Sequence, residues 1–203
     1  MNLLLVHGFW DTGNVFRRLQ RELTADGHRC FAPTLHPRDG RHGLADLARK
    51  LAAQVDEQLA PGEPLVIIGF SMGCLVARYY LQNLRGARPV AGFFALSGPL
   101  RGTYTAWLYP GQGTRDMRPG SRFIRELEAG AAALAGVPVH TYYTPLDLMI
   151  LPVRSSRLAG AQTVRVWALL HRWVPVHPTV AGDIRQKLAR LDAEKKMAPT
   201  DHR

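Results

Sequence analysis

The sequence of 203 residues has no apolar run that could cross a membrane, because its longest apolar stretches are strand-sized and a membrane helix needs ~20 residues. It also lacks a basic leader, a long apolar segment and a small-residue cleavage site near its start, so we expect no secretory signal. Cysteine is scarce: Cys30 and Cys74 are the only two, and we expect both to be reduced core residues. These absences favour a cytoplasmic protein without a transmembrane segment.

Motifs for metal and nucleic-acid binding are missing as well. The histidines form no His-Glu-x-x-His pattern and the cysteines no pair at ligand spacing, so we expect no metal and no cofactor. Basic residues outnumber acidic ones, 26 against 16, which gives a formal net charge of +10. Without a nucleic-acid motif we expect no nucleic-acid partner and interpret the arginines as solvated helix faces. A weak attraction to anionic surfaces is the alternative.

The composition is that of one globular domain, with 46% hydrophobic and 21% charged residues and no linker or internal repeat. We expect this domain over 1–193 and a polar C-terminal tail over 194–203. Strands are expected near 2–6, 28–32, 65–69, 90–96, 138–143 and 163–170, and helices near 14–25, 43–59, 72–84, 121–134, 154–159 and 178–192. Their alternation predicts a three-layer α/β/α sandwich with a mostly parallel sheet of roughly six strands.

A Gly-Phe-Ser-Met-Gly motif at 69–73 is the most informative local pattern. It lies between an apolar run at 65–68 and a helix-like run at 74–81, which is the strand–turn–helix setting of a nucleophile elbow. At the tip of so sharp a turn the serine takes a strained backbone conformation. A side chain two residues before or after it would collide with the neighbouring strand or helix. The pattern therefore predicts Ser71 as an exposed nucleophile.

The first strand, 2–6, runs into a His-Gly loop at 7–13. Together with the serine motif, this arrangement resembles the α/β-hydrolases, in particular small bacterial lipases and esterases of the lipase class 2 type, which lack a large cap domain. In that family two backbone N–H groups stabilise the oxyanion, one from this loop and one from the residue after the nucleophile. The resemblance implies that Phe9 and Met72 donate them.

A serine nucleophile needs a histidine to accept its proton and a carboxylate to orient that histidine. In this fold the acid follows the serine in the chain and stands after a strand. Asp147 follows the strand at 138–143 after a short turn, and the segment at 143–152 resembles the acid loop of the family. Asp116, in a basic loop, is interpreted as a paired surface carboxylate, and Asp183 as an exposed helix residue.

Two histidines compete for the role of base. His171 directly follows the strand expected at 163–170, whereas His177 comes later, just before Pro178. The resemblance favours His171, because related lipases place their histidine before a few apolar residues, a polar residue, proline and valine. The family often has glycine before that histidine, and this chain has Leu170 there. His177 stays open as the alternative, and it is otherwise interpreted as a residue at a helix N-terminus.

The segment at 96–103 is similar to a Pro-x-x-Gly-Thr loop of these lipases. Tyr104, Trp107 and Tyr109 follow it and are candidates for the rim of a substrate pocket, as is Trp10 in the His-Gly loop. Packing of a long loop is the alternative interpretation of these aromatic residues.

These patterns together predict a serine hydrolase that cleaves carboxylic esters, an esterase or lipase acting on small-molecule ester or lipid substrates. Its triad would be Ser71, His171 and Asp147, and the reaction would pass through an acyl-enzyme. Acyl transfer, or thioester or amide hydrolysis, by the same triad stays open. So does a non-catalytic protein of this fold that binds small molecules.

Overall fold

The computed structural model describes residues 1–197 and contains six parallel strands in one sheet, in the order β2-β1-β3-β4-β5-β6. The strands are β1 Asn2–Val6, β2 Arg29–Phe31, β3 Leu65–Phe70, β4 Val90–Leu96, β5 Val139–Tyr143 and β6 Gln162–Arg165. The helices are α1 Arg17–Ala25, α2 Leu44–Gln58, α3 Met72–Tyr79, α4 Gln112–Asp116, α5 Arg122–Ala129 and α6 Pro178–Met197. The predicted three-layer α/β/α sandwich is confirmed.

Helices cover both faces of the sheet because successive side chains of each strand point to opposite sides. On one face Leu4 and Ile67 pack in the same apolar cluster as buried residues of α2, α3 and α5. On the other face Leu3 and Ile68 pack with buried residues of α1 and α6. Burial on both faces explains why the central strand β3 is apolar along its length, since each such side chain contributes about 2 kcal/mol on burial.

The strand order changes direction at β1, which pairs with β2 on one side and β3 on the other. The register pairs Val6 with Gly69, so the carboxyl ends of β1 and β3 lie side by side. In open parallel sheets ligands bind at such a position. The His-Gly loop and the serine turn are therefore neighbours in space.

Two expected boundaries were wrong at the last strand and helix. The strand expected at 163–170 ends at Arg165, because the neighbouring strand β5 ends at its register partner, Tyr143. Beyond Arg165 buried and exposed side chains still alternate, but no neighbouring strand pairs with this segment. The sequence pattern therefore predicted a strand that is too long. Helix α6 also continues to Met197 rather than ending at 192, which places 194–197 of the predicted tail in a helix. The remaining tail, 198–203, lies outside the described residues.

The segment between β4 and α5, where no helix was predicted, contains a 3-10 turn at Tyr104–Trp107 and the short helix α4. The helical segment expected near 154–159 is a 3-10 turn at Val153–Ser156. Cys74 is buried in the core as expected, whereas Cys30 on the short strand β2 is only half-buried.

Candidate active site

Ser71 occupies the turn between β3 and α3 with a φ of +52°, a left-handed backbone conformation that is uncommon for a residue with a side chain. Its N–H donates to the carbonyl of Leu96 at the end of β4 (2.9 Å), which helps to hold the turn. A Cβ at Gly69 would lie 2.8 Å from the Cα of Cys74, and one at Gly73 would overlap the carbonyl oxygen of Val6. The predicted steric requirement for both glycines is confirmed.

The His-Gly loop lies against this turn, since a Cβ at Gly8 would be only 3.0 Å from the Cβ of Ser71. Phe9 follows in this loop and is half-buried, and no acceptor in the described chain receives its N–H. Met72 is the first residue of α3, so its N–H is among the N-terminal donors that the helix leaves without a partner. Both proposed oxyanion donors therefore stand next to Ser71 in the fold.

The ring of His7 holds the His-Gly loop in place through hydrogen bonds, a role that was not predicted from the sequence. The N–H of Leu35 donates to His7 Nε2 (2.9 Å), so the ring proton is on Nδ1 and donates to the carbonyl of Gly8 (2.8 Å). Burial lowers the pKa of His7 below its ordinary value, which keeps the ring neutral. His7 thus fixes the backbone conformation just before Phe9. In the sequence, the only indication of this role is a histidine followed by glycine at the end of a strand.

Asp147 and His171 meet after β5 and β6. Asp147 is buried, and its Oδ1 accepts the N–H groups of Met149 (2.9 Å) and Ile150 (3.0 Å). Its Oδ2 accepts from Nδ1 of His171 at 2.8 Å. Because Nδ1 donates, Nε2 of a neutral ring carries the lone pair, and this atom is buried without a partner in the described protein. A histidine in this state can accept a proton from a nearby hydroxyl.

Two contacts hold the His171 loop in place. Thr144 Oγ1 donates to the carbonyl of Ala168 (2.7 Å), which ties the turn before Asp147 to the loop before His171. The His171 ring also packs against the ring of Phe70, with centroids 4.9 Å apart. Since Phe70 immediately precedes Ser71, this packing sets the imidazole beside the serine turn.

Ser71 and His171 line one cleft of about 460 Å³ together with Phe9, Trp10 and Tyr109. The Trp10 and Tyr109 rings meet edge to face, with centroids 5.4 Å apart. A small recess of about 40 Å³ continues from Ser71 between Phe9 and Tyr109. Two other predicted pocket residues lie outside the lining of this cleft: Tyr104 and Trp107 are both exposed.

The other candidates have structural contacts of their own. His177 accepts the N–H of Thr179 through Nδ1 (3.2 Å) at the start of α6. The interpretation of Asp116 as an ion-paired surface group was wrong, because it accepts the N–H of Leu44 at the start of α2 (2.8 Å), and burial raises its pKa. Asp183, which was interpreted as an exposed helix residue, also accepts a hydrogen bond from the hydroxyl of Tyr142 (2.6 Å).

Within residues 1–197, no three or more His, Cys, Asp or Glu side chains come together in a way that could hold a metal ion. None of the helices in that range has both the length and the apolarity of a membrane span.

A family model described as "Alpha/beta hydrolase family" matches residues 3–200, and no curated protein matches the chain. Among solved structures, lipase B from Aspergillus fumigatus is similar at 17% identity and a TM-score of 0.75, over 89% of this chain and 50% of the lipase. This chain therefore spans half the length of that lipase.

Two further structures match over nearly their whole length. A methylesterase from Arabidopsis has 14% identity and a TM-score of 0.67, covering 94% of this chain and 99% of its own. An extracellular alpha/beta-hydrolase from a Paenibacillus species has 14% identity and a TM-score of 0.60, covering 94% and 98%. At such identities the likeness concerns the fold.

Proposed function

The chain belongs to the alpha/beta hydrolase family, and from this premise we propose that it is a serine hydrolase that cleaves carboxylic esters. One observation carries the proposal. The buried Asp147 accepts from Nδ1 of His171, and His171, whose Nε2 has no hydrogen-bond partner in the described protein, lines the same cleft as Ser71. Two of the structurally similar proteins, a lipase and a methylesterase, are named as ester hydrolases.

In the proposed reaction Ser71 Oγ attacks the carbonyl carbon of the ester while Nε2 of His171 takes the hydroxyl proton. Asp147 stabilises the imidazolium that forms. The negative charge on the substrate oxygen is held by the N–H groups of Phe9 and Met72. His171 then returns its proton to the leaving alcohol, and an acyl-enzyme remains. Water attacks this acyl group by the same steps in reverse and releases the carboxylic acid.

The lining of the cleft fits an ester of moderate size. Phe9, Trp10, Tyr109, Met149 and Leu170 supply apolar walls next to the serine. Such walls would bind the acyl or alcohol group, whereas a carboxylate or phosphate would find few donors other than Arg172 at the edge.

The test is hydrolysis of p-nitrophenyl esters of increasing acyl length by the purified chain and its Ser71→Ala variant. We expect the variant to lose roughly 10⁴-fold or more in kcat, because the members of a triad act as a unit. A fluorophosphonate probe should label the wild-type protein on the peptide that contains Ser71 and leave the variant unlabelled.

Matched ester, thioester and amide substrates with one acyl group then separate the related reactions. Turnover of the thioester or amide alone would keep Ser71 as the nucleophile and disprove ester specificity. A protein that neither reacts with the probe nor hydrolyses any of the three would be a non-catalytic member of the fold.

A further inference from the structure

The large apolar side chains that are exposed in the described chain all lie on loops that follow the carboxyl ends of strands. One follows β1, three follow β4, four follow β5 and four follow β6. All four tryptophans of the chain are among them, with exposed fractions of 58% for Trp10, 61% for Trp107, 62% for Trp167 and 46% for Trp173. Tryptophan is highly buried on average in folded proteins, and a large exposed apolar patch marks an interaction surface.

These loops form one continuous surface around the mouth of the cleft, which we call the aromatic face. The N–H of Tyr104 donates to the carbonyl of Leu151 (2.8 Å), which joins the loop after β4 to the loop after β5. Trp10 lines the cleft together with Leu170 and touches Tyr109, which joins the loops after β1, β4 and β6. The loops that carry the exposed apolar groups are thus in contact with one another.

The aromatic face is also basic. Residues 7–13, 97–121, 144–161 and 166–177, which form the loops of this face, contain six arginines and three acidic residues, Asp11, Asp116 and Asp147. None of the three carboxylates is fully exposed, since Asp147 is buried and Asp11 and Asp116 are half-buried. One of these arginines packs directly on a tryptophan: the guanidinium of Arg118 lies 4.1 Å from the centre of the Trp107 ring.

We propose that the aromatic face docks on an anionic lipid surface, with the mouth of the cleft turned toward the lipid. Tryptophan prefers the boundary between water and acyl chains because its ring is apolar and its N–H is polar. Arginine extends from such a site to the phosphate groups, and a positively charged segment is attracted to anionic headgroups. A second copy of this chain is the less favourable occupant, since two faces with an excess of arginine repel each other.

The test measures binding of the full chain to vesicles, using Ser71→Ala so that the result does not depend on ester hydrolysis. One set of vesicles is phosphatidylcholine alone, and the other contains about one third phosphatidylglycerol. We expect binding to be at least about tenfold tighter to the mixed vesicles and to weaken as salt screens the charges. Tryptophan emission should shift to the blue, because all four tryptophans lie on the aromatic face.

Three double variants test which part of the surface binds the vesicles. Trp107→Ser with Leu108→Ser should reduce binding to mixed vesicles roughly tenfold, since both side chains are exposed and their apolar area would be lost. Arg115→Gln with Arg154→Gln should have a similar effect, whereas Arg17→Gln with Arg21→Gln, an equal change of charge on α1, should have little.

Three results would overturn the proposal. The first is no binding to mixed vesicles. The second is binding that the α1 variant weakens as much as the aromatic-face variants do. The third is a dimer in sedimentation that Trp107→Ser with Leu108→Ser dissociates while vesicles stay unbound, which would assign the face to a second copy of the chain.

Discussion

His171 and His177 flank one 3-10 segment, and their contacts differ: His171 donates to Asp147, whereas His177 accepts the N–H of Thr179. We expect His171→Gln to lower kcat on p-nitrophenyl esters by several orders of magnitude, because no other group next to Asp147 would accept the Ser71 proton. His177→Gln should cost less than about tenfold, since it removes only a contact at the start of α6. Steady-state kinetics on both variants, with circular dichroism as the folding control, checks this. The opposite order of losses would assign the base to His177.

The hydroxyl of Thr144 links the turn before Asp147 to the loop before His171, and we expect it to position this pair. We expect Thr144→Val to lower kcat about tenfold and to destabilise the fold by about 1–3 kcal/mol, because the buried carbonyl of Ala168 loses its donor. Thr144→Ser keeps the hydroxyl and should restore most of the activity. Kinetics and urea unfolding measure the two effects. If the serine and valine variants behave alike, the hydroxyl does not position the pair.

At the scale of elements, the packing of α3 against β1 depends on Gly73. An added methyl group there would overlap the carbonyl oxygens of Val6 and His7, so the helix and strand would have to separate. We expect Gly73→Ala to destabilise the protein by more than about 3 kcal/mol and to abolish activity, because Ser71 immediately precedes this helix.

Gly182 in α6 is the matched control for that change. It is exposed, and an added methyl group would meet no atom within 4 Å. Gly182→Ala should therefore raise the free energy of unfolding by about 0.5–1 kcal/mol, because alanine is the better helix former. Urea unfolding of the two variants beside the wild type gives both values. A destabilised Gly182→Ala, or a Gly73→Ala protein of normal stability, would contradict the packing described here.

At the scale of the whole molecule, three buried histidines make stability depend on pH. Burial lowers the pKa of His7, His28 and His140 below the ordinary value of 6.5; the positive N-terminus near His28 and Lys187 near His140 act in the same direction. As the pH falls through about 6.5, the unfolded chain binds protons that the folded protein does not. The free energy of unfolding should therefore have its full value above about pH 6.5 and decrease below it.

Urea unfolding across a series of pH values measures this slope, which can reach about 1.4 kcal/mol per pH unit for each histidine. His140→Gln should reduce the slope, because it removes one of the three buried rings. Stability that stays constant between about pH 7 and pH 5 would show that these rings titrate alike in both states.

Much of the fold and part of the candidate site could be predicted from the sequence. The alternation of apolar strands and amphipathic helices was sufficient for the three-layer sandwich, because periodicity is a local property of the chain. The sharp turn at Ser71 and the position of Asp147 after a strand are local as well. The end of β6 could not be predicted, because it depends on where the partner strand β5 ends.

The sequence by itself determined the order of elements, the strained serine turn with its two obligatory glycines, and the set of histidines and carboxylates that compete for each role. Only the tertiary structure decided which of them meet: His171 pairs with Asp147, while Asp116 binds the start of α2. It alone also left all four tryptophans exposed, on loops that follow the carboxyl ends of strands. The physical reason is that sterics and periodicity act between neighbours along the chain, whereas hydrogen bonds and burial depend on residues that only folding brings together.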